Sequence, residues 1–257
     1  AGEIVGSESI EDPSKYFSAN VAGMNRVLKV LSAVGIDKII FSSTASVYGN
    51  NCMDKPANED TLLNPVNPYA ETKLMGERMI YWMANRYGWK YVIFRYFNVA
   101  GAAMDTSNGL RVKNPTHIIP NINKTALGQN DALKIYGDDY ETRDGSCIRD
   151  YIHVLDLAQA HVKGFDYLFT DSSTSQIFNL GTEQGYTVKE IYNTAEQILQ
   201  QKIPHEIVAR RSGDPASVLA NASKAKEFLN WQATYSLKDI ILSDYKWRVK
   251  AGNSIVK

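Results

Sequence analysis

Lys38-Ile39-Ile40-Phe41 runs directly into Ser42-Ser43-Thr44-Ala45-Ser46. The first four residues are short, apolar and β-branched, the pattern of a buried strand. The next five are small and mostly hydroxylic. Upstream, Val21, Met24, Val27, Leu28, Leu31 and Val34 recur at helical spacing. They predict a helix over 14–34, with Asp12-Pro13 at its start and Gly35 at its end. Downstream, a loop rich in Asn, Asp and Pro covers 49–67, and a second helix is expected over 68–87 with Pro68 in its first turn. Tyr91-Val92-Ile93-Phe94-Arg95-Tyr96-Phe97 is the next strand. Buried strands joined by helical crossovers indicate a parallel α/β sheet.

Beyond Gly101 the pattern loosens. Strands are expected at 133–136, 149–154, 177–180 and 203–209, and helices at 156–169, 187–200 and 237–249. Thr187, with Glu190 three residues on, suggests a capping box. The chain of 257 residues can bury a sizeable core. Its 28 basic and 28 acidic residues cancel, so a mainly electrostatic binder of nucleic acid or membrane is not expected. At 44% hydrophobic and 22% charged, it is not a disordered chain. Cys52 and Cys147 supply neither a disulfide framework nor a four-cysteine zinc site. No third ligand is spaced to join His153 and His161, so no metal is expected. Cys147 reads as a buried, inert thiol despite its nearness to Arg149. Apolar runs are too short to span a bilayer.

Open α/β sheets bind ligands at the carboxyl ends of their strands, which directs attention to Ser42–Ser46 and Tyr96–Ala100. Just after the first lies Tyr69-Ala70-Glu71-Thr72-Lys73. Tyr69 and Lys73, four apart, share a helix face. A nearby ammonium favours phenolate and draws a tyrosine toward use as a general base. Alone, the pair is weak evidence: with 15 tyrosines in the chain, a solvated helix face is the commoner meaning. Arg149, alone, reads as a surface partner of Asp150 or Asp144.

In context these residues are similar to the extended short-chain dehydrogenase/reductases, and within them to the UDP-glucose 4-epimerases. The stretches that carry the resemblance are Phe41–Gly49, Asn67–Leu74, Arg95–Ala102, Gly137–Tyr140 with Asp144-Gly145 and Arg149–Val154, and Arg210–Asp214. It covers essentially the whole chain. It implies an α/β fold: an incomplete NAD-binding Rossmann-type parallel sheet with a smaller C-terminal α/β substrate-binding domain. The implied partition is 1–98 plus about 150–182 for the dinucleotide domain, and about 99–149 plus 183–257 for the nucleotide-sugar domain.

The resemblance also implies roles. Tyr69 removes the proton from the sugar 4-hydroxyl, Lys73 lowers its pKa and holds the nicotinamide ribose, and Thr44 bonds the sugar oxygen and relays the proton. Hydride passes from the sugar to NAD and returns to the other face of the 4-keto sugar. Thr44, Tyr69, Lys73, Phe97, Asn20 and Ala1 fall at cofactor positions. Arg149 and Arg211 clamp the pyrophosphate, for which planar arginines suit, and Asp214 accepts from a hydroxyl. Asn98, His117, Lys134, Ile135, Tyr136 and Val218 complete the substrate positions. The modest size of Val218 admits an N-acetyl group. The intact relatives imply a cytoplasmic homodimer joined through helices 14–34 and 68–87.

One departure is large. The family's Gly-x-x-Gly-x-x-Gly turn, where the cofactor pyrophosphate sits on a helix N-terminus, is not in this sequence. The expectation is an N-terminally incomplete chain, short by roughly 80 residues of a dinucleotide fold. It then leaves the 39–41 strand with a bare edge, does not retain NAD and is poorly soluble. Two other readings stay open. One is a nucleotide-sugar dehydratase, although Ala45 and Ser46 stand where dehydratases carry an Asp-Glu pair. The other is a non-catalytic nucleotide-sugar-binding remnant.

Overall fold

The computed structural model describes residues 2–52, 55–112, 114–211 and 214–255. The chain groups into two units, Ala1–Phe97 with Ala160–Leu180 and Asn221–Trp231, and Asn98–Gln159 with Gly181–Ala220 and Gln232–Lys257. The stretch Asn221–Trp231 thus sides with the first unit, where the sequence reading kept 183–257 together.

The first unit is built on a parallel sheet of β1 (Lys38–Thr44), β2 (Lys90–Tyr96) and β6 (Gln176–Leu180), in the order β1-β2-β6. The apolar strand reading therefore extends through the hydroxyl residues to Thr44. Among the described residues β1 is an edge strand. Helix α4 (Pro68–Tyr87) starts with Asn67, whose side chain accepts from the Ala70 amide at 2.9 Å, and has Pro68 in its first turn. It ends at Gly88, whose φ of 71° suits the left-handed cap. Its apolar face packs Ile80 and Ala84 against Leu28, Ile39 and Trp89.

The single helix expected over 14–34 is divided. Short α1 (Gly6–Glu11) and α2 (Pro13–Tyr16) precede a π-helical turn at Phe17–Ala22, and α3 (Gly23–Ala33) follows. The widened turn carries Asn20, whose amide is drawn out of simple helical packing. It accepts from Glu3 N at 2.9 Å and donates to Glu3 O and to Thr72 Oγ1, both at 3.0 Å. Tertiary bonding to one side chain overrides the regular periodicity.

In the second unit, β5 (Ile148–His153) lies parallel to β3 (Asn98–Ala100) and β9 (Ser217–Val218) and antiparallel to β7 (Gly185–Thr187). A separate pair joins β4 (Leu133–Tyr136) to β8 (His205–Val208) in parallel. The core gathers Ile119, Ile122, Leu133, Ile135, Ile191, Ile240 and Ile241 from α5 (Ile118–Ala126), β4, α7 (Val188–Leu199) and α9 (Leu237–Ile255). The capping box is realised: Glu190 N donates to Thr187 Oγ1 at 3.0 Å, and Thr187 N to Glu190 Oε2 at 2.9 Å. Helix α6 (Val154–Leu168) follows β5 directly, and α8 (Ser223–Leu229) belongs to the first unit.

Candidate active site

The carboxyl end of β1 presents Thr44, and the first turn of α4 presents Tyr69. The Thr44 hydroxyl acts to lower the pKa of the Tyr69 phenol. Thr44 Oγ1 accepts from Ser46 N at 3.2 Å, which fixes the hydroxyl. Tyr69 is held from behind as well: its amide donates to Ser9 Oγ at 3.0 Å, and Ser9, fully buried, donates to Gly6 O at 2.6 Å. Ser9 was not singled out in the sequence, because a serine in a short helix carries no signal until its partner is known.

Burial pushes the Tyr69 phenol up to about 12, with the Thr44 hydroxyl opposing the rise and Tyr96 and Tyr16 adding to it. A phenol in that range is a poor base at neutral pH until a positive charge acts on it. Lys73 lies one helical turn on, with its ammonium 4.7 Å from the centre of the Phe41 ring. Burial pulls the Lys73 pKa down, and the charge of Glu77 holds it up. The expected lysine lies on the expected helix, but at rest its cation sits on Phe41.

Asn20 joins this group through Thr72, whose hydroxyl also donates to Tyr69 O at 2.8 Å. Phe97, at the end of β2, is buried and donates its amide to Leu180 O at 3.1 Å. Ala1 lies outside the described residues.

A buried ion pair sits beneath these residues. Arg95 donates through Nη2 to Glu77 Oε2 at 2.6 Å and through Nε to Glu77 Oε1 at 3.0 Å. Ser43 Oγ donates to the same carboxylate. Arg95 Nη1 reaches Tyr48 OH at 3.2 Å, and Tyr48 donates to Asn179 Oδ1 at 2.7 Å. Sequence reasoning passed over all of these, since an Arg and a Glu eighteen positions apart announce no pairing.

In the second unit, Arg149 donates through Nη2 to Asp214 Oδ1 at 2.5 Å and through Nη1 to Ile148 O at 2.7 Å. The surface pairing with Asp150 or Asp144 is not what forms. Asp150 is buried and accepts from Thr182 N and Oγ1, both at 2.7 Å, and from Glu183 N at 2.9 Å. Asp144 accepts from Ser146 and Thr187. Burial works against the charge of Arg149, and Asp214 more than offsets it, so its pKa is raised. Val218 is the register partner of Arg149.

The Arg211 guanidinium lies 4.0 Å from the centre of the Tyr136 ring. Burial and then the charge of Arg211 pull the His117 pKa down. Asn98 is the register partner of the buried Tyr151. Lys134 is exposed and 3.7 Å from Glu206. The Ile135 side chain belongs to the core instead of a binding surface, because alternate residues of β4 point inward; only its backbone borders that strand's free edge. Burial pushes the Cys147 thiol up, the direction of an inert cysteine.

The sequence profile of the family described as GDP-mannose 4,6 dehydratase matches residues 1–243. A UDP-glucose 4-epimerase of Halalkalibacterium halodurans is 43% identical over 248 residues, which span 96% of this chain and 73% of that protein. A UDP-glucose 4-epimerase of Streptococcus mutans is 44% identical over 243 residues, spanning 94% and 72%. The crystal structure of UDP-glucose 4-epimerase from Bifidobacterium longum, in complex with NAD+ and UDP, superposes with a TM-score of 0.93 at 37% identity. It covers 98% of this chain and 76% of that one. Five sequence motifs, a parallel sheet whose first strand ends in Thr44, with Tyr69 in the first turn of α4, and these matches agree that the chain belongs to the UDP-glucose 4-epimerases, members of the extended short-chain dehydrogenase/reductases.

Proposed function

We propose that the chain carries out NAD-dependent 4-epimerisation of UDP-sugars, with UDP-glucose and UDP-galactose as the interconverted pair. The observation that carries this reading is the placement of Thr44 at the carboxyl end of a parallel strand, with Tyr69 in the first turn of α4 and Lys73 one turn on. Tyr69 takes the proton of the sugar 4-hydroxyl, and Thr44 bonds the same oxygen and relays the proton. Lys73 leaves the Phe41 ring to lower the Tyr69 pKa from its resting value.

The residues present fit the nicotinamide end of NAD. Phe97 offers a buried aromatic wall, and Lys73 makes no ion pair among the described residues, which leaves its ammonium for a ribose hydroxyl. When bound, NAD supplies the hydride acceptor and donor; the chain's own groups orient and move the proton. Asn20 acts on this end through Thr72, by bracing the helix that carries Tyr69.

In the second unit, Arg149 and Arg211 hold the pyrophosphate. Asp214 and Ile148 occupy only part of the five-donor guanidinium of Arg149, so donors remain for an anion. Asp214 also accepts from a ribose or sugar hydroxyl. Asn98 and His117 bond the substrate, and Lys134, the Ile135 backbone and Tyr136 border the uracil. Val218 faces the 2-substituent, and an N-acetyl group fits; turnover of UDP-N-acetylglucosamine tests this.

The same reading makes the protein a cytoplasmic homodimer. Among the described residues no helix is long and apolar enough to cross a membrane. Val27 and Val30 on α3, Val34 at its C-cap, and Tyr81 and Trp82 on α4 are exposed, the pattern of a helix face that a partner covers.

The test is an epimerase assay with UDP-galactose and NAD on this chain and on a version carrying the family's Gly-x-x-Gly-x-x-Gly segment ahead of it, the latter alongside Tyr69→Phe. The expected result is conversion by the extended version and a loss of about 100-fold or more in its Tyr69→Phe variant, with an unchanged melting temperature. Equal turnover by both, or no binding of NAD and UDP by the extended version, overturns the reading.

A further inference from the structure

We propose that Glu77 is a positioning residue: gripped by Arg95 and Ser43, it locks α4 to the ends of β1 and β2 and sets its carboxylate one helical turn from Lys73. The proposal rests on the epimerase reading only for why the charge of Lys73 matters.

The geometry is specific. Ser43 and Arg95 are register partners on β1 and β2, and both donate to the one Glu77 carboxylate. The next pair along is Thr44 and Tyr96. A clamp at Ser43 and Arg95 therefore fixes where the first turns of α4, which carry Tyr69, lie relative to Thr44. Glu77 follows Lys73 by four residues on the same helix face. Gly76 brings that face close to the sheet: a Cβ there would approach Phe41 to 2.8 Å. The carboxylate is nearly dry, with side-chain exposures of 5% for Glu77 and 3% for Arg95, so its field is poorly screened.

A packing role alone does not need a charge. Three bonds, two from the Arg95 guanidinium and one from the Ser43 hydroxyl, grip the carboxylate. That anion opposes the burial that would strip Lys73 of its proton. The other titratable groups at this end of α4 are the phenols of Tyr69, Tyr96 and Tyr16, all with pKa values raised above the ordinary 10. They stay neutral below that pH. Glu77 is then the charge that acts on Lys73.

The experiment titrates Lys73 in the whole chain by NMR of 13Cε-lysine, with the Lys73 signal identified by its loss in Lys73→Arg. In Glu77→Gln the Lys73 pKa falls by roughly one unit or more. In Ser43→Ala, which removes a bond to the carboxylate and leaves its charge, it does not move. The double variant Glu77→Gln/Arg95→Gln leaves no buried unpaired charge and guards against unfolding of the single variant; the fall persists in it. An unmoved Lys73 pKa in folded Glu77→Gln or in the double variant overturns the proposal, as does an equal fall in Ser43→Ala. No turnover is needed, so failure of the epimerase assay does not bear on this result. Where the chain is active, the alkaline limb of its kcat profile moves to lower pH by the same amount in Glu77→Gln, while KM for the UDP-sugar stays unchanged.

Discussion

Arg149 reaches across 65 positions of sequence to bond Asp214 at 2.5 Å, with side-chain exposures of 11% and 28%. The pair places a cation and an anion in one half-buried spot, which suits a ligand that is anionic at one end and rich in hydroxyls beside it. Arg149→Met is expected to weaken UDP binding by about 10- to 100-fold, the range for losing charge-assisted bonds. Isothermal titration measures it. Asp214→Asn keeps the shape and weakens UDP binding less, because the guanidinium remains.

Arg95→Met leaves the Glu77 carboxylate buried without its cation. The expected loss of stability is about 3–5 kcal/mol, read by urea denaturation. Glu77→Met/Arg95→Met recovers most of it, since apolar residues of similar volume need no desolvation of charge.

Burial pushes the Tyr48 phenol up to about 12, against an ordinary value of 10. Stability from the neutral, buried phenol is fully present below pH 10. It is lost as pH rises from 10 through about 12, where the unfolded chain ionises first. The alkaline loss attributable to this one group is about 2–3 kcal/mol. Tyr48→Phe lowers stability at neutral pH, through its lost bonds with Asn179 and Arg95, and flattens the decline above pH 10. Thermal melts between pH 7 and 11 follow both effects.

Gly49 has φ 57° and ψ −128°. A Cβ at this position would come within 1.9 Å of Asn64 O. Gly49→Ala therefore combines left-handed backbone strain with a clash against backbone, and is expected to cost about 3 kcal/mol or more. Because the loop carries Tyr48, the same variant is expected to lower the Tyr48 pKa as water enters; its phenolate absorbance reads this.

The long periodic elements could be read from sequence for a physical reason: α4, α7 and the strands β1 and β2 owe their form to local apolar spacing and to caps such as Asn67 and Thr187. Helix α5 could not. It contains Pro120 and the buried Asn123, whose amide donates to Asp244 Oδ2 at 2.8 Å and to Ile241 O at 3.1 Å. A polar residue at a core position makes sense only with a partner more than a hundred residues away. Strands β3, β7 and β9, of two or three residues, are too short for any period to register. At the site, Tyr69, Lys73 and Thr44 were legible as a spaced motif, whereas Ser9, Ser43, Glu77 and Arg95 were not. Their contribution lies in contacts that only the folded chain makes. The resting state of Lys73, on an aromatic ring, was equally invisible, since Phe41 read simply as core.

The chain passes back and forth between its two units, so that each is assembled from three separate stretches. During synthesis the first unit waits for Asn221–Trp231, including the fully buried Trp231, long after its sheet residues have emerged. The second waits for α9. Nascent protein therefore carries unfinished cores until both late segments have emerged, with β1 and α3 as uncovered apolar surface. Chaperone demand, and yield that rises when elongation is slowed or temperature lowered, follow from this order of assembly. No single proteolytic cut or gene fusion point releases either unit intact.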